Sequence, residues 1–480
     1  MTASSHRLCR LFGTLVPVLL LAACAGSTPP ADSAPATLPE AVMSPASAAD
    51  LADPWAYRTL GELCDTIGPR LTGSPAMARA VAWAERTMRA AGCDSVWTEP
   101  VEVPHWTRGA EWARCTAPVA FDLVMTGLGL SDGTPPGGVE AELLVVHDFE
   151  ELEARAAEAA GRIVLFNMEW TGYGPTVQYR VSGASRAARP GAVAVLIRSV
   201  TPNSLATPHT GMMRYEDDAP RIPAAAVTIE DAGRLQRLAD AGLRPRVHLM
   251  MEARNHGLTT CHNVIGEIRG SSRPDQIVLV AGHLDSWDIG TGAHDDGAGC
   301  VLALAAARRL LMDGGRPART VRVVFYTAEE IGGHGGKAYR DAHRDELDRH
   351  VAALESDSGA FAPAGFTVQG DSLVVAAVAD HALAVAALGA GKVSPGGSGV
   401  DIGPICECGV PGIGHRVDGG VYFDYHHSPA DTFDKIDAGD LARNVAAIAG
   451  LIRSISEDPV PLRDRSAAGP VADGVKPIDH

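Results

Sequence analysis

Residues 277–299 read IVLVAGHLDSWDIGTGAHDDGAG, and this stretch decides the fold class. Its first five residues are aliphatic, which is typical of a short strand buried on both faces of a parallel sheet. His283 and Asp285 follow that run directly, and Asp295 and Asp296 precede a glycine-rich turn. Open α/β sheets bind their ligands beyond the carboxyl ends of their strands. The stretch therefore predicts a functional site at the end of a buried strand.

Two more apolar runs repeat this arrangement further along the chain. Residues 321–326 and 351–354 read as strands, with helical stretches such as 299–311 between them. Glu329 and Glu330 follow the first of these runs, and Asp357 follows the second. The alternation predicts an α/β fold in which three consecutive strand ends bring carboxylates and an imidazole to one edge.

A metal centre accounts for these side chains economically. Imidazole nitrogen and carboxylate oxygen suit zinc, and two ions in one site need about six protein ligands with a carboxylate bridging them. A further histidine is available in residues 425–432, YHHSPADT. Adjacent histidines cannot easily both point inward, so one of His426 and His427 is the candidate ligand, and the other supports it or faces the substrate. The remaining candidate ligands are His283, Asp295, Glu330 and Asp357.

The N-terminus reads as an export signal. Arg7 and Arg10 precede an apolar run that ends in the sequence LAAC at residues 21–24, which resembles a bacterial lipobox. We therefore predict a signal peptide at 1–23 and a lipid anchor on Cys24. A flexible Ala/Ser/Thr/Pro tether then extends to residue 50, and a flexible tail occupies 458–480. The predicted location is the bacterial cell envelope, with attachment to the membrane through Cys24 only.

Composition limits the class of protein further. The chain has 480 residues, 46% of them hydrophobic, with 41 basic and 58 acidic side chains and a net charge of −17. No basic block supplies the phosphate neutralisation that nucleic-acid binding needs, so we expect no nucleic-acid partner. Residues 119–255 change in texture to short strands, at 143–146, 162–166 and 192–197, which are broken by Gly/Pro loops and by brief helices such as 148–160. We expect them to form a domain inserted into a catalytic domain of residues 51–118 and 256–457.

Residues 282–299 and 327–336 resemble the co-catalytic di-zinc exopeptidase family that includes the bacterial zinc aminopeptidases, and most closely its plasma glutamate carboxypeptidase branch. Residues 67–74, IGPRLTGS, and 103–109, VPHWTRG, resemble that branch as well. The resemblance covers nearly the whole mature body. It implies a three-layer α/β fold with a mixed, mostly parallel central sheet, and the segment 119–255 resembles a protease-associated domain that would roof the cleft.

The resemblance also implies a role for each candidate residue. His283 and Asp357 would hold one zinc ion, Glu330 and the last histidine the other, and Asp295 would bridge the two. The last ligand in relatives precedes Ser or Thr, which selects His427. Glu329 would be the general base, Asp285 would orient the ring of His283, and His426 would stand where many relatives have an oxyanion-stabilising tyrosine. A cis peptide between Asp295 and Asp296 is also expected.

The implied function is hydrolysis of dipeptides or short peptides by a metal-bridging water, with two Zn²⁺ as cofactors and a homodimer as the implied assembly. An aminopeptidase of the same fold is the main alternative. A metal-free binding lipoprotein and a single-zinc glutaminyl cyclase are less favoured, because every implied ligand is present. A free substrate carboxylate would need a basic partner, for which Arg416 is the candidate.

Overall fold

The computed structural model describes residues 53–313 and 315–465. The predicted signal peptide, Cys24 and the predicted tether lie outside these residues. Of the predicted tail, residues 458–465 are described, and they include a 3-10 turn at Leu462–Arg465 in which Leu462 is buried. In the described part of the chain no helix combines the length and the hydropathy needed to span a membrane. The seven cysteines in this part are free thiols.

The strands form two eight-stranded sheets. In chain order they are β1 Ser95–Thr107, β2 Glu111–Ala117, β3 Phe121–Leu123, β4 Met125–Gly127, β5 Val139–Val146, β6 Ile163–Phe166, β7 Ala194–Arg198, β8 Ala224–Val227, β9 Arg246–Met251, β10 Arg254–Ile268, β11 Arg273–His283, β12 Arg319–Tyr326, β13 His350–Glu355, β14 Pro363–Gln369, β15 Val393–Pro395 and β16 Gly412–Val417.

The α-helices connect and cover these strands. They are α1 Trp55–Glu62, α2 Pro75–Ala90, α3 Phe149–Ala154, α4 Ala156–Ala159, α5 Tyr173–Ala188, α6 Ile229–Asp240, α7 Ala298–Met312, α8 His334–Ala342, α9 Ser372–Ala382, α10 Gly403–Cys406, α11 Tyr422–Tyr425 and α12 Ala438–Glu457.

The larger sheet has the strand order β1-β10-β12-β11-β13-β16-β14-β15. Its four central strands, β12, β11, β13 and β16, are mutually parallel, whereas β1, β10 and β14 pair antiparallel with their inner neighbours. The predicted strands at 277–281, 321–326 and 351–354 are confirmed as parts of β11, β12 and β13. The carboxyl ends of the parallel strands consequently meet at one edge of the sheet.

Helices cover both faces of this sheet. Alternate residues of a strand point to opposite faces, and in β11 Val278 and Val280 pack in one hydrophobic cluster with the buried face of α7. Leu279 and Ala281 pack in a second cluster, with Tyr339 of α8. The expected three-layer arrangement of helix, mixed sheet and helix is confirmed.

The second sheet has the order β3-β2-β9-β5-β6-β7-β8-β4 and takes all its strands from residues 111–251. Its first strand, β2, therefore precedes the predicted start of the insert at residue 119. Two local predictions here have different outcomes. The predicted strands at 143–146, 162–166 and 192–197 are present, but the predicted helix at 148–160 is interrupted at Arg155, which has non-helical dihedrals and separates α3 from α4.

A partly buried charge network joins the larger sheet to the segment after α8. The ring of His343 lies 2.6 Å from Glu346 Oε1 and 2.9 Å from Glu99 Oε1, so it connects β1 to the loop before β13. Burial alone would lower the pKa of His343, but these two carboxylates raise it to about 9. The pKa of Glu346 is lowered to about 2, chiefly by its hydrogen bond to His343.

We predict that His343→Gln removes a pH-dependent share of the stability. Because the folded-state pKa is raised from 6.5 to about 9, the charged ring contributes fully below pH 6.5 and the contribution is lost as the pH rises toward 9. The free energy of unfolding should fall by about 3 kcal/mol at pH 6 and by much less at pH 9. Urea titrations of both proteins at the two pH values measure this difference, and an equal loss at both would contradict it.

Candidate metal centre

All the sequence-predicted ligands follow the carboxyl ends of the four parallel strands. His283 is the last residue of β11, Glu329 and Glu330 follow β12, and Asp357 lies two residues beyond β13. The chain leaves β16 at Val417 and reaches His427 through the short helix α11. Adjacent parallel strands end at the same edge, which brings residues far apart in sequence into one cluster.

Arg70 holds the loop between the first two candidate ligands. Its side chain is fully buried and donates hydrogen bonds to the carbonyl oxygens of Leu284 at 2.5 Å, Thr291 at 2.6 Å and Gly292 at 2.9 Å. Buried backbone carbonyls need such partners. Arg70, from the motif at 67–74, therefore supports this loop through its backbone carbonyl groups.

Asp295 stands at the centre of the cluster. The Asp295–Asp296 peptide is cis, as expected. The Asp431 carboxylate accepts hydrogen bonds from the backbone N–H groups of His294 at 2.8 Å and Asp295 at 3.1 Å. The Asp295 carboxylate itself lies between two imidazoles: Oδ1 is 3.2 Å from His283 Nε2, and Oδ2 is 3.3 Å from His427 Nε2.

Each imidazole has a second carboxylate beside it. His283 Nε2 is 3.7 Å from Asp357 Oδ1, and His427 Nε2 is 3.0 Å from Glu330 Oε2. The structure thus brings the five predicted ligands into two groups that share Asp295. The neighbouring His426 is further from the shared carboxylate, with Nε2 3.7 Å from Asp295 Oδ2, and its ring stacks on that of His427 at 3.6 Å.

Two other residues also come within range of a metal position. Ligand atoms of Asp295, His426 and His427 lie within 4.8 Å of one another, as do those of His283, Asp296 and Asp357. The oxygens of Asp296, however, already accept hydrogen bonds from the backbone N–H groups of Gly299 and His283, at 2.9 and 3.1 Å. Asp295 is the better placed of the two aspartates because its oxygens face the imidazole nitrogens.

Glu329 reaches the cluster from a turn after β12. Ala328 adopts the left-handed conformation with φ of +61°, which turns the chain sharply between Tyr326 and Glu329. The Glu329 side chain is 16% exposed, and its Oε2 is 4.0 Å from His283 Nε2. Its backbone N–H donates to Asp285 Oδ1 at 3.2 Å. The Asp285 carboxylate therefore fixes the turn that carries Glu329.

The Nδ1 atom of His283 has two oxygens of Asp285 within reach. The backbone oxygen lies at 3.1 Å and the carboxylate Oδ1 at 3.7 Å. The nearer partner is thus the main chain of Asp285, rather than the carboxylate to which we assigned the orienting role. Thr72 Oγ1 donates to the other carboxylate oxygen at 3.0 Å.

The electrostatics of the cluster are those of a cation site. Burial, reinforced by neighbouring carboxylates, raises the pKa of Asp295, Glu329 and Glu330. Burial alone would lower the pKa of His283, but the neighbouring carboxylates of Asp285, Asp295 and Asp357 raise it well above its ordinary value. Burial lowers the pKa of His427. So many buried acids are stable together only with protons or a metal cation among them.

The donor atoms are of the kinds that zinc binds, and two of them have no other partner. His283 Nε2 and Glu330 Oε1 are buried and have no hydrogen-bond partner among the described residues. Unpartnered buried polar atoms are costly, and a metal ion would satisfy both. Neutral imidazole nitrogen and carboxylate oxygen are the ligands that zinc takes.

Among the described residues, Arg416 makes no direct contact with this cluster. It is exposed on β16, opposite Gly365 of β14, and no described hydrogen bond or ion pair joins it to the ligands. Sequence reasoning missed two residues that support the site, Asp431 at the backbone of Asp295 and Arg180 beside the ring of His427. The aspartate stands in the run 425–432 and could have been noticed there, whereas nothing in the sequence connects Arg180 with the site.

The chain is similar in sequence to known peptidases. The model of peptidase family M28 matches residues 263–452. Carboxypeptidase Q of Mus musculus is 43% identical over 391 residues, covering 82% of this chain and 83% of that protein. Carboxypeptidase Q of Homo sapiens is 42% identical over the same length, with 82% of each chain covered.

Solved structures of peptidases are also similar to this chain. The peptidase M28 precursor from Shewanella amazonensis SB2B superposes with a TM-score of 0.82 at 36% identity, covering 89% of this chain and 97% of that one. A zinc aminopeptidase from Bacillus subtilis superposes with a TM-score of 0.65 at 22% identity, covering 86% and 97% of the two chains. The second likeness concerns the fold alone.

Because Glu330 is buried, we predict that Glu330→Gln changes the free energy of unfolding in opposite directions in zinc-free and in zinc-loaded protein. In zinc-free protein at pH 8, Glu330→Gln should increase the free energy of unfolding by about 1–3 kcal/mol, because a neutral amide replaces a buried carboxylate. With zinc present the variant should be the less stable protein, since a ligand is lost. Urea titrations with EDTA and with zinc measure both. The control is Glu346→Gln, which removes a well-paired carboxylate and should lower the stability both with EDTA and with zinc. If Glu330→Gln also lowered the stability in both conditions, the assignment of Glu330 as a zinc ligand would be contradicted.

Proposed function

Because the chain belongs to peptidase family M28, we propose that it is a zinc metallo-exopeptidase that hydrolyses dipeptides and short peptides in the manner of carboxypeptidase Q. The observation that carries the proposal is the position of Asp295, which directs one carboxylate oxygen to His283 Nε2 and the other to His427 Nε2. A carboxylate shared in this way suits a centre of two metal ions.

We assign the zinc ligands by these contacts. His283 and Asp357 would hold one ion, Glu330 and His427 would hold the other, and Asp295 would bridge them. When bound, the two ions would act as Lewis acids on the scissile carbonyl and would lower the pKa of a water molecule. His426 stacks on His427 and lies further from the Asp295 carboxylate, so we assign it a supporting or substrate-facing role.

Glu329 is the proposed general base. Its carboxylate lies at the cluster, is partly open to the cleft, and is not needed to complete either ligand group. A carboxylate in this position can accept a proton from water and return it to the leaving amine. The hydrogen bond from its backbone to Asp285 fixes the position from which it acts.

The substrate terminus that is recognised distinguishes the two candidate activities. A dipeptidase holds both a free amine and a free carboxylate, whereas an aminopeptidase holds the amine only. Carboxylates near the metals suit the amine, and Asp357 is 22% exposed at the cleft. Arg416 stays our candidate for the carboxylate. The similarity to carboxypeptidase Q favours the dipeptidase.

We also propose that the protein is exported to the bacterial cell envelope and anchored there by a lipid on Cys24, which the sequence around residues 21–24 supports. We further propose that the protein pairs as a homodimer and that its peptidase domain is interrupted by an inserted segment that begins with β2, ahead of residue 119. The segment of the second sheet would then border the cleft of the peptidase domain.

We predict that Glu329→Gln retains zinc but loses turnover. The change deletes the group that moves the proton without deleting a ligand, so kcat should fall by about 10²–10⁴-fold while the zinc content per chain stays that of the wild type. Elemental analysis and initial rates on one dipeptide measure the two quantities. Glu102→Gln, at an exposed position of β1, is the matched control. Wild-type turnover in Glu329→Gln would remove this residue from the mechanism.

A second prediction concerns the recognised terminus. The zinc-loaded protein should hydrolyse a free dipeptide and should fail on the same dipeptide when it is N-acetylated or C-amidated, because each modification removes a charge that the site binds. Rates on the three compounds at equal concentration decide this. Rapid cleavage of the amide with none of the acetylated form would assign the protein to the aminopeptidases instead.

A further inference from the structure

The turn that carries the two histidines has an unfavourable backbone conformation. His427 has φ of +57°, in the left-handed region that residues with a side chain rarely adopt. The rings of His426 and His427 are stacked at 3.6 Å, so the turn cannot relax without moving the proposed ligand. A conformation of this kind persists only when the surrounding structure determines it.

The surrounding structure here comes from the segment that carries the second sheet. Between β7 and β8, His209 Nδ1 lies 2.7 Å from the carbonyl oxygen of His426, and the Thr210 N–H donates to the carbonyl oxygen of His427 at 2.9 Å. The Thr210 carbonyl lies 3.3 Å from His427 Nδ1. His209 is itself fixed by a hydrogen bond from its backbone N–H to Ser199 Oγ at 3.0 Å.

Arg180 of α5 supports the same carbonyl. Its Nη1 donates to the Thr210 oxygen at 3.3 Å, and its Nη2 donates to the Tyr173 hydroxyl at 3.0 Å. The guanidinium lies against Gly211, where a Cβ atom would come within 2.3 Å of the Arg180 Cζ. Only glycine leaves room for the arginine at this place.

The outer part of the turn is held from the same side. Asn203 Nδ2 donates to Asp424 Oδ1 at 2.7 Å. The ring of Tyr173 stacks on that of Phe423 at 5.0 Å and meets that of His426 edge-on at 5.3 Å. Contacts from α5 and from residues 203–210 therefore extend along the whole turn from 423 to 427.

A metal-binding histidine generally donates its other ring N–H to an oxygen that fixes the ring. For His283 this partner comes from its own strand end, the backbone of Asp285. For His427 the oxygen beside Nδ1 is the Thr210 carbonyl at 3.3 Å, more than two hundred residues away in sequence, and Arg180 Nη1 lies 3.3 Å from the same Nδ1. The two proposed zinc positions thus differ in what supports them.

We propose that His209, Thr210 and Arg180 are positioning residues of the metal centre, which hold His427 in its ligand conformation. The segment that carries the second sheet would then help to form one zinc position, and would not serve only as a spacer or a cover. This inference rests on the proposed function, because it assigns the support of a zinc ligand. It requires that damage to this contact weakens the zinc position at Glu330 and His427 and leaves the one at His283 and Asp357 nearly unchanged.

A matched pair of substitutions at His209 tests the inference. His209→Leu and His209→Asn have side chains of the same size and branching, but only asparagine carries an N–H at the place of Nδ1. Stepwise zinc titration of the metal-free, full-length protein gives two dissociation constants. In His209→Leu one of them should rise by about 10–100-fold while the other changes by less than about twofold. His209→Asn should restore the wild-type pair of values.

Two further variants accompany this pair, one as a negative control and one as a milder change at the same turn. His381→Leu removes a buried histidine that bonds to Ser454 instead of the turn, and both zinc constants should stay unchanged. Asn203→Ala alters an exposed residue, so it should fold even if His209→Leu does not, and it should weaken the same single zinc position severalfold.

Unchanged zinc constants in both His209→Leu and Asn203→Ala would overturn the inference, as would an equal loss at both zinc positions in a folded variant. If His209→Leu does not fold, the constants of Asn203→Ala decide. A wild-type protein that binds no zinc would contradict the proposed function and not the positioning role in particular, so the two failures are distinguishable.

Discussion

The structure is organised around the burial of several acids in one place. Around the proposed metal centre lie six carboxylates, those of Asp285, Asp295, Asp296, Glu329, Glu330 and Asp357, and like charges in a low-dielectric interior repel strongly. Backbone and hydroxyl donors satisfy only some of them: Asp296 accepts two N–H groups, and Asp285 accepts one N–H and the Thr72 hydroxyl. The others, Asp295, Glu329, Glu330 and Asp357, are directed to the cleft and the two imidazoles. This division separates the acids that shape the loops from the acids that can hold cations.

The fold meets this constraint with parallel strands and long-range supports. Four neighbouring strand ends supply the acids and histidines, so no single loop carries the whole site. Arg70 fixes the loop between His283 and Asp295, and Asp431 fixes the backbone of Asp295. Supports of this kind contact carbonyl and amide groups of the loops. They determine where the ligands point without occupying the cleft.

Much of the fold and of the ligand set could be predicted from the sequence, for identifiable reasons. The aliphatic runs of β11, β12 and β13 are short and sharply bounded, and each is followed by a polar residue that a buried strand would not otherwise present. Ser74 and Pro75 mark the start of α2, where the Ser74 side chain accepts a hydrogen bond from the Met77 N–H. The early start of the second sheet at β2 escaped because β2 pairs with β9, more than a hundred residues later in the chain.

The supports of the site escaped for the same reason. The residues alone left His426 and His427 undecided, and the resemblance selected the second. The contacts of Thr210 and Arg180 with His427 cross more than two hundred residues, and no local pattern signals them. Asp285 illustrates a subtler limit: its backbone, not its side chain, lies nearest the His283 ring, and a sequence does not distinguish these.

The central claim is that two zinc ions share Asp295. Anomalous scattering on both sides of the zinc absorption edge, from crystals of the zinc-loaded protein, tests it most directly. The account predicts two peaks, one beside His283 and Asp357 and one beside Glu330 and His427, each within bonding distance of a different oxygen of Asp295. A single peak, or two peaks that do not share Asp295, would contradict it.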